Sequence, residues 1–319
     1  MKKLNICIIG GSGFIGTHLV RQLNDHGHLV TIFDKHKSAA FPRQCTLGDV
    51  RDQQAVTAAV SGQDVIVNLA AEHRDDVRPE SLYFDVNVGG ATHVCEAARQ
   101  AGIKRIIFTS TVALYGLNSG RPTEESPIRP FNAYGQSKHE AEGVYKSWVH
   151  EQPERSLTIV RPVVVFGENN RGNVFNLLAH IREKRFLMVG KGDNRKSMAY
   201  VANVVDFLEF CLEQPPRLNI YNYADSPDMS TQELVSIARE AFGQKSIPLS
   251  LPYWLGLSGV IFFDAVARVI NRPLPISAIR IRKFCAETTV SADKAIQRGF
   301  RARFTLAEGL QTMIASEFR

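Results

Sequence analysis

The apolar run Leu4–Ile9 breaks directly into Gly10-Gly11-Ser12-Gly13-Phe14-Ile15-Gly16, and an amphipathic stretch begins at once. A Gly-x-x-Gly-x-x-Gly turn between a strand and a helix admits few folds. Gly10 allows the tight turn, Gly13 lets the main chain approach a pyrophosphate, and Gly16 lets helix and strand pack closely. The helix N-terminus then faces the phosphates, with Phe14 and Ile15 in its first turn. The turn predicts a doubly wound sheet that binds a dinucleotide.

The rest of the first half agrees. Leu29–Phe33, Asp64–Leu69, Arg105–Thr109 and Leu157–Val160 read as further buried strands. Gly13–His26, Gln53–Val60, Ser81–Ala101 and Ala133–His150 read as the helices between them. After Pro162 strands become rare; Asn219–Tyr223 is the one expected. Asn173–Glu183, Val201–Glu213, Thr231–Phe242, Pro252–Asn271, Ser277–Phe284 and Leu306–Ser316 carry helical patterns. The expected fold class is α/β: a Rossmann-type doubly wound parallel sheet with a smaller, mostly helical C-terminal substrate lobe. The expected boundaries are 1–165 for the dinucleotide domain and 166–319 for the lobe, with segments of the lobe returning to the main sheet.

At 319 residues, 44% hydrophobic and 22% charged, the chain can bury a large core and lacks the signature of disorder. Cys7, Cys45, Cys95, Cys211 and Cys285 are scattered, with no Cys-x-x-Cys. They read as reduced thiols of a cytoplasmic protein, and no metal site is expected. Met1-Lys2-Lys3 before an apolar run has the outline of a signal peptide, but the glycines cut the run short and a first strand is the better reading. The run Trp254–Phe263 ends at Asp264, short of the roughly 20 residues that span a bilayer. Net charge is +6, and from Trp254 onward ten Lys/Arg stand against five Asp/Glu. Such a basic segment suits the phosphates of a nucleotide, a lipid diphosphate or an anionic membrane face, or is simply a solvated surface. No nucleic-acid partner is expected.

Asp34 ends the second apolar run, where a carboxylate can accept from both ribose hydroxyls; that favours NAD. Lys35, His36 and Lys37 follow and could meet a 2′-phosphate, which keeps NADP open. Asp49, with Val50 next to it, could accept from the adenine amino group or cap a helix. Leu69, Ala70 and Ala71 close another run, and small residues there let a cofactor lie across the sheet edge.

Phe108-Thr109-Ser110-Thr111 brings hydroxyls to the carboxyl end of the sheet, where ligands bind. On the next helix, Tyr134-Gly135-Gln136-Ser137-Lys138 puts a phenol and an ammonium on one face, one turn apart. A free phenol, with a pKa near ~10, is a poor base at neutral pH. A fixed ammonium favours the phenolate, and the pair can then take a proton from an alcohol. The spacing alone is common. Beside a dinucleotide turn it points to oxidation of a sugar or alcohol hydroxyl by a nicotinamide.

Together with Asn87-Val88-Gly89-Gly90, Arg161-Pro162, Tyr200-Val201 and the Arg282–Lys294 region, these motifs stand in the order of the extended short-chain dehydrogenase/reductase family. The chain resembles its nucleotide-sugar epimerase/dehydratase branch over essentially its whole length. The resemblance implies Tyr134 as acid/base, Lys138 as the group that holds the nicotinamide ribose and lowers the phenol pKa, and Thr111 as the hydroxyl on the reacting sugar oxygen. Ser110, beside it, is the second choice and a cofactor contact; Asn87 is another. Asn173, Arg195 or Lys196, and Arg282 match ligands of the substrate diphosphate.

Glu72-His73-Arg74-Asp75-Asp76, Arg171–Val174 and Asn194–Tyr200 resemble a narrower group: bacterial 4-epimerases of surface-polysaccharide (O-antigen, lipopolysaccharide) synthesis that act on N-acetylglucosamine. Some of these epimerise the sugar on undecaprenyl diphosphate. The activity implied is an NAD-dependent 4-epimerase working through a transient 4-keto sugar. His73 either touches that sugar or is a satisfied loop histidine. A UDP-sugar 4-epimerase and an NAD(P)H-dependent 4-keto reductase stay open. Dehydration is disfavoured, because Val112-Ala113 stand where dehydratases carry an acidic pair. A non-catalytic dinucleotide sensor commonly lacks the Tyr or Lys kept here.

Pro252–Asn271 is apolar nearly all round, with Asp264 and Arg268 one turn apart and Arg272, Arg280, Arg282 and Lys283 close behind. This suits either a packing helix or an interfacial segment on anionic lipid, and so peripheral contact with the cytoplasmic membrane face. The resemblance also implies a homodimer through Ser81–Ala101 and Ala133–His150.

Overall fold

The computed structural model describes residues 2–74, 77–117, 119–244, 250–252 and 287–318. The chain divides into two compact units. The first comprises Met1–Val165, Ala199–Asp225 and Val290–Phe304; the second comprises Phe166–Met198, Ser226–Thr289 and Thr305–Arg319.

The first unit is built on a seven-stranded parallel sheet. Its strands are β1 (Asn5–Ile9), β2 (Leu29–Asp34), β3 (Cys45–Leu47), β4 (Val65–Asn68), β5 (Arg105–Thr109), β6 (Ser156–Pro162) and, after the short β7 (Val164–Phe166), β8 (Met188–Val189), β9 (Arg195–Lys196) and β10 (Met198–Tyr200), the edge strand β11 (Arg217–Tyr223). The order across the sheet is β11-β6-β5-β4-β1-β2-β3. Every ladder is parallel, with Ile9 opposite Phe33 on one side and Asn68 on the other. The order reverses between β1 and β4, and a doubly wound sheet opens its ligand crevice at that point.

Both faces are covered, which explains the unbroken apolar strands. Ile6 and Ile8 point to the face packed by α1 (Phe14–Asp25) and α7 (Val201–Phe210), through Leu19, Val20, Leu23, Val204, Phe207 and Leu208. Cys7 and Ile9 point to the other face. There α2 (Gln53–Val60), α4 (Gly90–Gln100) and α5 (Ala133–His150) supply Val56, Val60, Val94, Ala98, Ala141 and Tyr145.

The helix expected over Ser81–Ala101 differs in detail. It starts as α3 (Ser81–Phe84), widens into a π-type turn at Asp85–Gly89 and resumes as α4. The three-residue β3 was not expected; two of its residues are exposed, so it has no apolar pattern to read. The described cysteines Cys7, Cys45, Cys95 and Cys211 are free and buried, while Cys285 lies outside the described residues.

In the second unit, α6 (Asn173–Arg182), α8 (Thr231–Ala241) and the helix Leu306–Phe318 pack together, with Phe318 against Phe175 and Phe242. Short strands pair beside them: β9 with Met229–Ser230 and β8 with Ser250–Leu251. The helices expected over 252–271, beyond its first residue, and over 277–284 lie outside the described residues, as do Arg268 and Arg282. No helix among the described residues is long and apolar enough to cross a membrane.

One buried acid closes the first unit. Asp225 accepts from the Tyr200 amide (2.7 Å), Asn203 Nδ2 (2.9 Å) and the Tyr223 hydroxyl (3.0 Å). Asn203 Oδ1 in turn accepts the amides of Arg303 and Phe304. Burial pushes Asp225 up to about 6, against these three hydrogen bonds. An acid raised in the folded state keeps its proton longer there than in the unfolded chain, so its stabilising contribution is lost as pH rises from about 4 to 6. Asp225→Asn should remove this slope. Relative to wild type, the variant should gain on the order of 2–3 kcal/mol between pH 4 and 7 in urea denaturation. Parallel stability–pH curves for the two proteins would refute this.

Candidate active site

The candidate residues of the first unit come from the carboxyl ends of β1, β2, β4 and β5, the stretch before α2, the widened turn and the start of α5. Gly10 has φ +82° and its amide bonds Phe33 O at 2.8 Å. A Cβ there would stand 2.6 Å from the Ala70 amide nitrogen, so the turn and the end of β4 approach as only glycine permits. At Gly16 a Cβ would stand 2.6 Å from Gly11 Cα, which explains the close packing of α1 on the turn. At Gly13 a Cβ would meet only Gly10 O, at 3.3 Å. Gly13 also caps α1 without any side-chain bond, so the first-turn amides, those of Phe14, Ile15 and Gly16 among them, stay open to an anion.

Asp34 takes the Ser12 amide on Oδ2 (3.0 Å) and the His36 amide on Oδ1 (2.9 Å). A carboxylate oxygen has two acceptor sites, so each keeps one for a ribose hydroxyl. Lys37 is turned to the Cys45 carbonyl (2.9 Å). Lys35 lies within electrostatic reach of Asp49 and Glu72. The glycine cradle, the uncapped helix and this carboxylate fit a dinucleotide.

One alternative for Asp49 drops out here, the helix cap. Asp49 does not cap α2: Asp52 does, accepting from Gln54 and Ala55. Asp49 instead holds Arg51 with both oxygens (3.0 and 2.7 Å), and that hydrogen bonding keeps its carboxyl below the ordinary range. Asn87 is buried in the widened turn and already engaged at both ends. Its Oδ1 accepts the Glu72 amide (3.0 Å), while its Nδ2 donates to Glu72 O (3.1 Å) and Ser137 Oγ (2.8 Å). Val50 is core, its methyls against Gly90; Leu69, Ala70 and Ala71 are half-buried at the end of β4.

The reactive groups sit on α5 and the turn after β5. Asn132 Oδ1 caps α5 by accepting the Gly135 amide (2.9 Å), and a Cβ on Gly135 would press on Ala113 O at 3.0 Å. The start of α5 therefore abuts the short 3-10 turn Val112–Tyr115, which is capped by Thr111 Oγ1 accepting from Ala113 (3.1 Å). Across this contact the Thr111 hydroxyl faces that of Tyr134 and favours its phenolate. Tyr134 is half-buried, and its ring lies 6.4 Å from that of Tyr83, whose hydroxyl donates to Arg74 O. Lys138, one turn on, is fully buried, with Nζ 4.1 Å from the Phe108 ring centroid.

Burial pulls Lys138 down to about 7, opposed by the charge of Glu142. Burial raises Tyr134, opposed by the neighbouring Thr111 hydroxyl. In the chain alone, burial and not Lys138 sets the direction of the Tyr134 shift.

Ser110 is buried beside Thr111. His73 and Arg74 are exposed on the segment after β4, where Arg74 grips the buried Glu72 (3.0 and 3.2 Å) and holds its carboxyl down. In the second unit, Asn173 is the exposed first residue of α6, and Arg195 donates to Asp228 O. Sequence reasoning missed Tyr83 and gave Glu142 and Arg161 no role. The one signal for Glu142 was its place at i+4 from Lys138 and i+8 from Tyr134.

The profile of the NAD-dependent epimerase/dehydratase family matches residues 6–224. An Escherichia coli O157:H7 protein named N-acetyl-α-D-glucosaminyl-diphospho-ditrans,octacis-undecaprenol 4-epimerase is 46% identical over 98% of this chain and 95% of its own length. Among solved structures, UDP-N-acetylglucosamine 4-epimerase from Bacillus cereus superposes with TM-score 0.79 at 16% identity, covering 99% of this chain and 100% of its own. UDP-glucose 4-epimerase of Thermus thermophilus, solved with NAD, gives 0.76 at 22% identity and 98% coverage of each chain. These two share the fold.

A lysine lowered in the folded state binds fewer protons there than in the unfolded chain, so stability should rise as pH climbs from about 7 toward 10.5. The slope from this one group approaches ~1.4 kcal/mol per pH unit. Lys138→Met should abolish that component of the stability–pH curve measured by chemical denaturation. An unchanged slope would mean that Lys138 keeps an ordinary pKa.

Proposed function

We propose that this chain, which belongs to the NAD-dependent epimerase/dehydratase family, is a 4-epimerase interconverting N-acetylglucosamine and N-acetylgalactosamine on undecaprenyl diphosphate for surface-polysaccharide synthesis, with NAD as resident cofactor. The observation that carries the reading is the meeting of the Thr111 turn with the start of α5, which sets Tyr134 beside Thr111 and one helical turn from the buried Lys138, at the open end of a sheet whose first turn suits a pyrophosphate. The choice of carrier rests on the name of the relative that is 46% identical over nearly the whole chain.

Gly10, Gly13, Gly16 and Asp34 would hold the dinucleotide by its pyrophosphate and ribose. When bound, NAD supplies the hydride acceptor, and then donor, that leaves the reaction without net redox change. Tyr134 takes the proton of the C4 hydroxyl and later returns it. Thr111 bonds the same oxygen, so the proton has one direction in which to leave. Lys138 favours the phenolate while it stays protonated. The 4-keto sugar turns over in the pocket and is rebuilt with the opposite configuration at C4. Asn173, Arg195 and Arg282 are assigned to the diphosphate, and His73 to the sugar. Homodimer formation and peripheral contact with an anionic membrane face belong to the same reading.

The test offers purified protein UDP-N-acetylglucosamine and its undecaprenyl diphosphate counterpart, without added cofactor. Conversion of the lipid-linked sugar is expected. Conversion of the nucleotide sugar alone would overturn the carrier, and a strict need for added NADPH would replace epimerase by reductase. Tyr134→Phe should lower kcat by ~10²–10⁴-fold, the range for a positioned acid/base.

A further inference from the structure

Thr111 and Tyr134 come from different elements, yet their chemistry needs them at hydrogen-bond distance. Thr111 belongs to the turn after β5, and Tyr134 to α5. A single buried side chain from a third element, β6, reaches both. The Nε and Nη2 atoms of Arg161 donate to the two carboxylate oxygens of Glu142, on α5, at 2.8 and 2.7 Å. Its remaining Nη1 donates to the Tyr115 hydroxyl, at the end of the turn, at 2.7 Å, and to Glu124 O at 3.3 Å. The guanidinium and the carboxylate are buried, at 2% and 0% exposure, so neither can exchange its partner for water. Tyr115 is fixed in turn, because its hydroxyl donates to Asn222 Oδ1 at 2.7 Å while Asn222 Nδ2 holds the carbonyls of Pro122 and Ser291. Glu142 is also met by Lys146 at 3.1 Å.

A planar fork with one edge on the helix and one nitrogen on the turn has no freedom to let the two slide. We infer that Arg161 is a positioning residue. By gripping Glu142 and Tyr115 at once it sets the distance between the Thr111 and Tyr134 hydroxyls. It acts on catalysis only through that pair, and the inference rests on the reading of those hydroxyls as the reacting ones.

Tyr115→Phe tests it, because it cuts one arm of the fork and leaves the buried ion pair intact. In the epimerase assay kcat should fall about tenfold, with KM within about twofold, since the loss falls on the transition state. Thr111→Ala should lower kcat by more. The double variant should be no slower than Thr111→Ala alone, because Tyr115 acts through Thr111. Multiplying losses would overturn the inference, as would a Tyr115→Phe enzyme with unchanged kcat.

A second readout needs no substrate. With 13Cζ-labelled tyrosine, the Tyr134 signal is identified by its absence from Tyr134→Phe. In Tyr115→Phe it should move in the same direction as in Thr111→Ala. An unmoved signal in a folded variant refutes the positioning role. If no offered sugar is turned over by wild type while the resonance moves as stated, the proposed reaction fails and the positioning role stands.

Discussion

The structure turns on the burial of a polar stripe. Tyr134, Lys138 and Glu142 follow one another at four-residue steps down α5, and that face lies against the sheet. Burying a lysine and a glutamate there is unfavourable unless the charges are met. Arg161 and Lys146 meet Glu142, and burial is outweighed, so its carboxyl stays below the usual range. Among the described residues Lys138 meets only the Phe108 ring and the distant charge of Glu142, and its proton is held loosely. The anion is fully compensated and the cation is not, which leaves the ammonium ready for a ligand.

The glycine turn and this helix are two halves of one design. The turn brings β1 and the end of β4 closer than any side chain would allow, at the point where the strand order reverses. That opens the crevice on the same edge of the sheet where Thr109, Ser110 and Thr111 leave β5. Asn87 links the two regions. It clamps the backbone of Glu72 after β4 with one set of bonds, and with another it holds Ser137, whose hydroxyl donates to Tyr134 O.

Much of this was legible in the sequence. Six of the seven sheet strands declare themselves as apolar runs, because a sheet covered on both faces needs no alternation; β3, half exposed and three residues long, does not. The i, i+4 placing of Tyr134 and Lys138 follows from spacing alone. What could not be read is which groups of the chain these side chains meet. Asp49 had a neighbour in Arg51 that takes both its oxygens, and Asn87 had backbone partners fifteen residues away. Nor does periodicity reveal a pair such as Glu142 and Arg161, joined across two elements. The direction of the Tyr134 shift was equally hidden, since it depends on how deeply the ring is buried.

The widened turn at Asp85–Gly89 has a consequence for how the chain tolerates changes in length. It holds one residue more than an α-helical turn, so α3 and α4 are out of phase with each other. Each is in phase with its own neighbours: Tyr83 with Tyr134 and Arg74, and Ala91, Val94, Cys95 and Ala98 with the core. Deleting any single residue from this stretch would restore a regular helix and swing one half by about 100°. Either the tyrosine would leave its partner or the apolar face would turn to water. A sequence can vary its side chains along this segment far more freely than it can vary their number.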